Sequence, residues 1–198
     1  MAKNRVCVGA IDLDKSIPVR LMDSTGHYEL REECPYSIRE IYEVEYEHNP
    51  RPLPHSEDTI VLSREKIGEI QQDAILYVLN NLKLKIYTFG IRETFEGKLN
   101  CTDSGRLYIS EENVPKNSTC FWICDRDLKR DDFHEKIRYC YNDGTKPWGY
   151  KIAYVGLDDN PAQLIPKGTL IRLSLAHWWS PEDSTDKKRC YLQLSNWY

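Results

Sequence analysis

Long apolar runs and the common nucleotide-binding motifs are absent from this sequence of 198 residues. No stretch of about 18 consecutive apolar residues occurs, so we expect no transmembrane helix and no membrane partner. The strand-like run that follows Met1–Arg5 is not a signal-peptide core, and we expect a cytoplasmic protein. The chain also lacks the G-x-x-x-x-G-K-S/T and G-x-G-x-x-G motifs, so no ATP or dinucleotide cofactor is expected.

Catalytic signatures are missing as well. None of the five histidines lies beside a serine or cysteine in a recognised nucleophile motif. The tripeptide Glu96-Gly97-Lys98, with Asp73 upstream, has the residue types of a metal-dependent nuclease. However, Asp73 falls within a predicted helix, Gly97 indicates a turn, and so short a pattern often arises by chance. We therefore expect a protein without enzymatic activity.

The cysteines do not form a metal or disulfide pattern. There are seven of them, an odd number that does not suit a secreted disulfide framework. We expect free thiols that occupy small apolar sites. Cys120 and Cys124 are four residues apart in a predicted strand, which separates them by about 13 Å. The ligands of one zinc ion lie within about 2.3 Å of it, so no metal site is predicted.

Charge is distributed unevenly along the chain, although its net value is only −4. Residues 1–82 carry 9 basic and 15 acidic side chains, and residues 83–198 carry 18 and 16. All five tryptophans and eight of the thirteen tyrosines also follow residue 82. If the protein binds a polyanion, the second half is therefore the expected place. A net charge of +2 over that length is also ordinary for a globular domain.

One long amphipathic helix is predicted over residues 63–82. Its apolar residues recur at steps of three and four, which places them on one stripe of a helix. Ser63 is the expected N-cap, and Glu65 would lie favourably in the first turn. The apolar residues of the stripe are Ile67, Ile70, Ala74, Ile75, Val78, Leu79 and Leu82.

The remaining segments alternate with a period of two and predict short strands separated by turns. In residues 41–47, apolar side chains alternate with Glu43, Glu45 and Glu47, which indicates a half-buried strand with a solvated acidic face. Short strands at about ten-residue spacing are typical of small barrels. We therefore predict a mainly β protein with two small OB-like barrels, residues 1–62 and 83–198, joined by the helix over residues 63–82.

Aromatic and basic residues are interleaved in four segments of the second half. Cationic grooves with aromatic stacking platforms are typical of proteins that bind single-stranded nucleic acid. The competing interpretation is that aromatic residues fill and rim a barrel, and it is favoured for Phe121, Tyr139 and Tyr141. Basic residues would contact phosphates and tryptophans would stack on bases. The predicted nucleic-acid contacts are Arg126, Lys129, Arg130, Lys146, Trp148, Lys151, Arg172, Trp178 and Trp179.

Five segments resemble the bacterial dual OB-containing domain proteins, and together they cover nearly the whole chain. The resemblance implies two OB-like barrels, recognition of nucleic acid or a partner, and frequent location in defence gene neighbourhoods. It transfers no catalytic residue, and the acidic first half departs from what nucleic-acid binding by that half would need. The segments are Val6 to Asp14, Ile17 to Leu21, Phe121 to Leu128, Leu173 to Pro181 and Arg189 to Leu194.

Two hypotheses for function follow. The first is a non-enzymatic module whose second half binds DNA or RNA, as part of a bacterial anti-phage defence system. The second is a protein-interaction subunit of a multi-protein defence complex, in which exposed aromatic residues anchor a protein partner. The salt dependence of binding distinguishes the two hypotheses. Affinity from phosphate contacts falls steeply with salt through counterion release, whereas affinity from an apolar anchor does not.

Overall fold

Strands dominate both halves of the chain, which confirms the prediction of a mainly β protein. The computed structural model describes residues 4–49, 51–133, 136–181 and 187–198, without the side chains of Ala74, Ile75 and Phe133. The chain divides into two compact units, Met1–Leu84 and Lys85–Tyr198. Each unit is described by itself below.

The first unit is built on a four-stranded sheet. Its elements are β1 Arg5–Val6, β2 Val8–Asp12, β3 Ile17–Met22, β4 Glu29–Leu30, β5 Glu40–His48, β6 Asp58–Glu69 and α1 Ala74–Asn81. The strand order of the sheet is β2-β3-β6-β5. The pairs β2–β3 and β5–β6 are antiparallel, and β3 and β6 are parallel. Two further strands, β1 and β4, pair with one another.

The prediction of one long helix over residues 63–82 is wrong for its first part. Strand β6 continues to Glu69, so Ser63 lies opposite Glu45 of β5 and caps no helix. Ile67 is 59% exposed and does not belong to a buried stripe. The error has a physical cause, because residues 63–69 pair in antiparallel register with β5, whose partner residues lie 18 to 29 positions earlier in the sequence. Local periodicity cannot detect such a partner.

The helix that does form, α1, has only eight residues and begins after Asp73. The Asp73 side-chain oxygen accepts a hydrogen bond from the backbone N–H of Leu76 at 3.2 Å. The backbone carbonyl of Asp73 accepts from Tyr77 at 2.9 Å. Asp73 therefore caps the helix, in the way that short acceptor side chains stabilise helix N-termini.

A cluster of charged side chains is buried in the first unit. Arg20 and Asp58 are both nearly inaccessible, and their Nε and Oδ1 atoms are 3.3 Å apart. The other Asp58 oxygen is 3.3 Å from Arg51 Nε, and Arg20 also faces Glu57 at 3.7 Å. Burial raises the pKa of Asp58 to about 6, although the two arginines oppose that rise.

The second unit contains a larger, curled sheet. Its strands are β7 Ile86–Tyr87, β8 Asn100–Cys101, β9 Leu107–Ser110, β10 Thr119–Ile123, β11 Leu128–Phe133, β12 Lys136–Tyr141, β13 Tyr150–Tyr154, β14 Leu164–Ile165, β15 Leu170–Leu175 and β16 Arg189–Trp197. Their order in the sheet is β14-β11-β12-β13-β16-β15-β10-β7, with β9 attached to β16 and β8 to β9. Short 3-10 turns occupy Ile91–Glu93 and Phe95–Gly97.

Alternation along β9, β12 and β16 separates a buried inner face from a more exposed outer face, whereas β15 is buried along its whole length. Tyr139 and Tyr141 of β12 are buried, as predicted. Tyr141 packs against Trp122, whose indole N–H donates to the Phe89 carbonyl at 2.7 Å. Phe121 is also buried, as predicted. The residues between the inward ones therefore point outward, and the strand register brings several of them side by side.

Candidate nucleic-acid interface

Three aromatic rings lie in a row on the outer side of β9 and β16. Tyr108 and Tyr191 are direct cross-strand partners, and their ring centroids are 6.0 Å apart. Trp179 forms an isolated bridge with Arg189 and lies 6.3 Å from Tyr191, centroid to centroid. The alternation of β16 buries Cys190 and leaves both of its neighbours outside. The row is therefore a product of strand register.

Two arginines cover the tyrosine rings of this row. The Arg106 guanidinium carbon is 3.8 Å from the ring centroid of Tyr191, and that of Arg189 is 4.7 Å from the centroid of Tyr108. A cation held over a ring in this way is attracted by the negative face of the aromatic system. The arrangement fixes two positive charges on the sheet surface, and Trp179, with 54% exposure, is the most open ring of the row.

The same surface continues toward β13. Lys151 forms a parallel backbone bridge with Arg106, which brings two cationic side chains next to one another. Lys151 also pairs with Asp131 at 3.7 Å. We call this surface the cationic–aromatic face. It consists of Arg106, Tyr108, Lys151, Trp179, Arg189 and Tyr191.

Trp148 is presented by the turn between β12 and β13 and is 82% exposed. The turn is held by its backbone. Gly149 has a φ of +62°, and a Cβ there would meet the Tyr141 carbonyl oxygen at 2.6 Å. A Cβ on Gly105, in a neighbouring turn, would likewise lie only 2.7 Å from the Gly149 carbonyl oxygen. Glycine is needed at both positions because a side chain would collide with backbone and not with a movable group.

A shallow groove of about 300 Å³ lies beside Trp148. Lys129 and Cys140, which are cross-strand partners, form part of its wall. Cys140 is in turn the partner of Lys151, so the groove adjoins the cationic–aromatic face. Burial raises the pKa of the Cys140 thiol, which disfavours its nucleophilic thiolate form. The residues that line the groove are Asp127, Lys129, Cys140, Asn142, Pro147 and Trp148.

The structure brings together four of the predicted contact residues, on the cationic–aromatic face or beside it: Lys129, Trp148, Lys151 and Trp179. Lys146 lies in the Trp148 turn, where its Nζ donates to the Thr102 carbonyl at 3.4 Å. Arg126 is exposed in the loop before β11 and pairs with Asp125 at 3.6 Å.

Three predicted contacts are placed differently. Arg172, in β15, is only 7% exposed and lies opposite Phe121. Arg130 is held by its own chain, because it donates to Asp132 at 2.7 Å and to the Pro161 carbonyl at 2.7 Å. Trp178 packs against the core while its neighbour Trp179 points outward. These three side chains are therefore part of the structural framework.

Sequence reasoning missed four residues of the face: Arg106, Tyr108, Arg189 and Tyr191. A signal for the last two was present, because the segment from Arg189 to Leu194 alternates outward and inward residues. Pairing β9 with β16 requires knowledge of the register, and that pairing joins residues about 80 positions apart in sequence.

Two properties of the described ranges are relevant to function. Within residues 4–49, 51–133, 136–181 and 187–198, no group of three His, Cys, Asp or Glu side chains is arranged to hold a metal ion. In the same parts of the chain, every helix is too short or too polar to cross a membrane.

Comparison with known proteins supplies a match at the level of the family. A family described as the dual OB-containing domain matches residues 1–197. Searches of curated proteins and of solved structures returned no match.

Proposed function

The chain belongs to the dual OB-containing domain family, and from that premise we propose that its second unit is a non-enzymatic module that binds single-stranded nucleic acid. The nucleic-acid strand would lie on the cationic–aromatic face. The observation that carries the proposal is the pair of arginines stacked over Tyr108 and Tyr191, beside the exposed ring of Trp179. Fixed cations beside an open aromatic ring are the combination that proteins use to bind a single nucleic-acid strand.

The chemistry of the face favours a single strand over a duplex. Stacking on a side chain needs an unpaired base whose flat face is accessible, and duplex bases are already stacked on one another. Arginine planes over tyrosines extend the stacking surface and keep their N–H groups at the edge, where phosphate oxygens can accept from them. Lys151 adds a point charge next to Arg106. The face is therefore able to contact both bases and backbone.

The size of the surface also fits this ligand. From Lys129 on β11 to Arg106 beside β9, the outer side crosses three strand spacings, or about 14 Å. The tyrosine row and Trp179 extend it further. OB folds that bind single strands accommodate about 4 to 16 nucleotides, so a short segment at the lower end of that range would cover the face.

The test is fluorescence anisotropy of labelled DNA and RNA, each as a single strand of about 16 nucleotides and as the matching duplex. Titrations at about 50 and about 200 mM salt measure the electrostatic contribution. We expect tighter binding of single strands and a steep loss of affinity with salt. Substituting Arg106→Gln together with Lys151→Gln is expected to weaken binding and to reduce the slope of log K against log salt by about 0.7 for each phosphate that the protein no longer neutralises.

Arg92→Gln is the matched control for Arg106→Gln alone, because Arg92 is exposed on the 3-10 turn Ile91–Glu93, outside the face, and each variant removes one positive charge. The control should leave affinity and salt slope unchanged. Equal losses in Arg92→Gln and in Arg106→Gln would mean that only overall charge matters. Absence of binding to every oligonucleotide at both salt concentrations would refute the proposed function.

Exposed apolar side chains favour a second candidate function, a protein-interaction subunit of a multi-protein complex. Phe89 and Leu157 are each 65% exposed in loops of the second unit. Aromatic side chains such as Phe89 are enriched at protein interfaces. A partner captured in this way should bind independently of salt, lose affinity in Phe89→Ala, and tolerate Arg106→Gln. The reverse pattern supports the nucleic-acid function.

The biological setting that we propose, a bacterial anti-phage defence system, is supported by the family resemblance alone. Its test is the efficiency of phage infection in cells that carry the gene, lack it, or carry the Arg106→Gln/Lys151→Gln variant. Protection that needs the gene but not the two cations would separate a defence role from nucleic-acid binding.

A further inference from the structure

We propose that the groove beside Trp148 is a base-selective pocket that takes one nucleobase bearing an exocyclic amino group. The inference rests on the proposed function, since the base would belong to a strand lying on the cationic–aromatic face. It adds to that function the class of base that is preferred and the groove in which the base is recognised. Trp148 would stack on the base, Asp127 would accept from its amino group, and Lys129 would contact the adjoining phosphate.

The first observation is the way in which Trp148 is held. An indole that is 82% exposed gains little from the fold and needs no rigid support for packing. Its turn is nevertheless fixed, because Gly149 allows no Cβ and the Gly149 N–H donates to the Lys146 carbonyl at 3.1 Å. The Trp148 carbonyl also accepts from the Cys140 thiol at 3.4 Å. A turn backbone that is fixed before binding reduces the conformational entropy that is lost when a base stacks on Trp148.

The second observation is the composition of the groove. Its volume of about 300 Å³ is at the small end of ligand sites. Its lining combines apolar and aromatic side chains, Pro147 and Trp148, with polar side chains, Asp127, Lys129 and Asn142. A flat heterocycle with polar edges needs this combination of one stacking surface and a few oriented polar groups.

The third observation is that internal hydrogen bonds orient two polar side chains of the groove. Asp127 Oδ1 accepts from the backbone N–H of Lys167 at 2.8 Å. Asn142 Oδ1 accepts from the backbone N–H of Gly144 at 2.9 Å. A carboxylate has acceptor capacity on both oxygens, and the Asn142 amide keeps its NH₂ group as a donor. The groove thus offers an acceptor and a donor to the edge of a base.

This pattern of groups selects among bases. Adenine, cytosine and guanine carry an exocyclic amino group that donates to a carboxylate, and aspartate commonly accepts from cytosine N4. Thymine and uracil have no amino group. They carry the carbonyl oxygen O4 where cytosine and adenine carry an amino group, and O2 where guanine carries its N2 amino group, and a carboxylate repels either oxygen. A base with an amino group is therefore expected to be preferred over thymine or uracil.

The groove is continuous with the cationic–aromatic face. A base in the groove could therefore belong to a nucleic-acid strand that also lies on this face. Lys129 is the cross-strand partner of Cys140, and Cys140 is the partner of Lys151. Each step is one strand spacing, about 4.8 Å. A nucleotide in the groove would therefore be connected through its phosphates to nucleotides over Lys151 and Arg106.

The experiment uses the whole chain and four probes of equal charge: AMP, CMP, GMP and UMP. Shifts of the Trp148 indole N–H in the NMR spectrum report occupancy of the groove. We expect AMP, CMP and GMP to shift this signal on binding. The affinity for UMP is expected to be lower by about fivefold or more. Asp127→Asn should reduce the preference to less than about twofold, because asparagine can still accept from Lys167 but has lost the negative charge and the second acceptor oxygen.

Asp159→Asn, an exposed aspartate in the loop before β14, is the matched control and should retain the preference. Trp148→Ala should lower oligonucleotide affinity about fivefold or more without unfolding the protein. If oligonucleotides bind normally but base preference is absent, or is unchanged in Asp127→Asn, the pocket is refuted and the proposed function stands. If no oligonucleotide binds at all, the proposed function itself is refuted.

Discussion

Arg106 and Tyr191 are 85 positions apart in sequence, yet the Arg106 guanidinium carbon is only 3.8 Å from the centre of the Tyr191 ring. The contact exists because Tyr191 pairs with Tyr108 in the adjacent strand, and Arg106 is two residues before Tyr108 on the same outer side. It links the strand register of the second unit directly to the surface proposed to bind nucleic acid.

The first prediction concerns the energy of this contact. Tyr191→Leu and Arg106→Gln, separately and together, form a double-mutant cycle in chemical denaturation. A partly exposed cation–ring pair is expected to contribute a coupling of about 0.5 to 1 kcal/mol to the free energy of unfolding. The same cycle for Arg92 and Tyr191 should give additive effects. Zero coupling between Arg106 and Tyr191 would show that the two side chains do not stack in solution.

The second prediction concerns the glycine turn that carries Trp148. Gly149→Ala should lower the free energy of unfolding of the second unit by about 2 kcal/mol or more, because its Cβ would lie 2.6 Å from the Tyr141 carbonyl oxygen. Gly144→Ala is the control, since Gly144 also has a positive φ, +84°, but no atom lies within 4 Å of an added Cβ. It retains only backbone strain, of about 1 kcal/mol. Equal destabilisation of both variants would contradict the close backbone approach at Gly149.

Sequence patterns are sufficient for features that depend on neighbouring residues. Tyr139 and Tyr141, which the sequence assigns to a barrel core, are both buried. Adjacent residues of an extended chain face opposite ways, and Trp178 packs inward while Trp179 is exposed. These features follow from the two-residue period of an extended chain.

Features that depend on distant partners cannot be predicted in this way. Residues 63–69 fit a helical spacing, but pairing with β5 makes them a strand. Arg130 has the sequence surroundings of a free cation, but the loop at Asn160 and Pro161 accepts its hydrogen bonds. The tyrosine row depends on the register of β9 against β16. In each case the missing information is long-range pairing, which a local pattern does not contain.

The third prediction tests where the helix of the first unit begins. Asp73→Ala removes the side-chain acceptor that caps Leu76 and should lower the free energy of unfolding of the first unit by about 1 kcal/mol. Asp73→Ser keeps an acceptor and should retain most of the stability. Ser63→Ala, at the position that the sequence pattern assigns to the cap, should change stability by less than about 0.5 kcal/mol, because Ser63 is an exposed residue within β6. A larger loss at Ser63 than at Asp73 would favour the longer helix.

The fourth prediction is a pH dependence that arises from the buried carboxyl group of Asp58. Its pKa is raised from 3.8 to about 6, chiefly by burial, so the folded protein holds the proton more tightly than the unfolded chain. The stabilisation from this proton is complete below about pH 4 and is lost as the pH rises through about 6, and it amounts to about 3 kcal/mol at most. The carboxyl carbon of Asp58 should therefore titrate in the NMR spectrum with a midpoint near pH 6. Arg51→Gln should move that midpoint higher, because Arg51 favours the ionised form. A midpoint near pH 4, or no response to Arg51→Gln, would show that Asp58 is solvated in the folded protein.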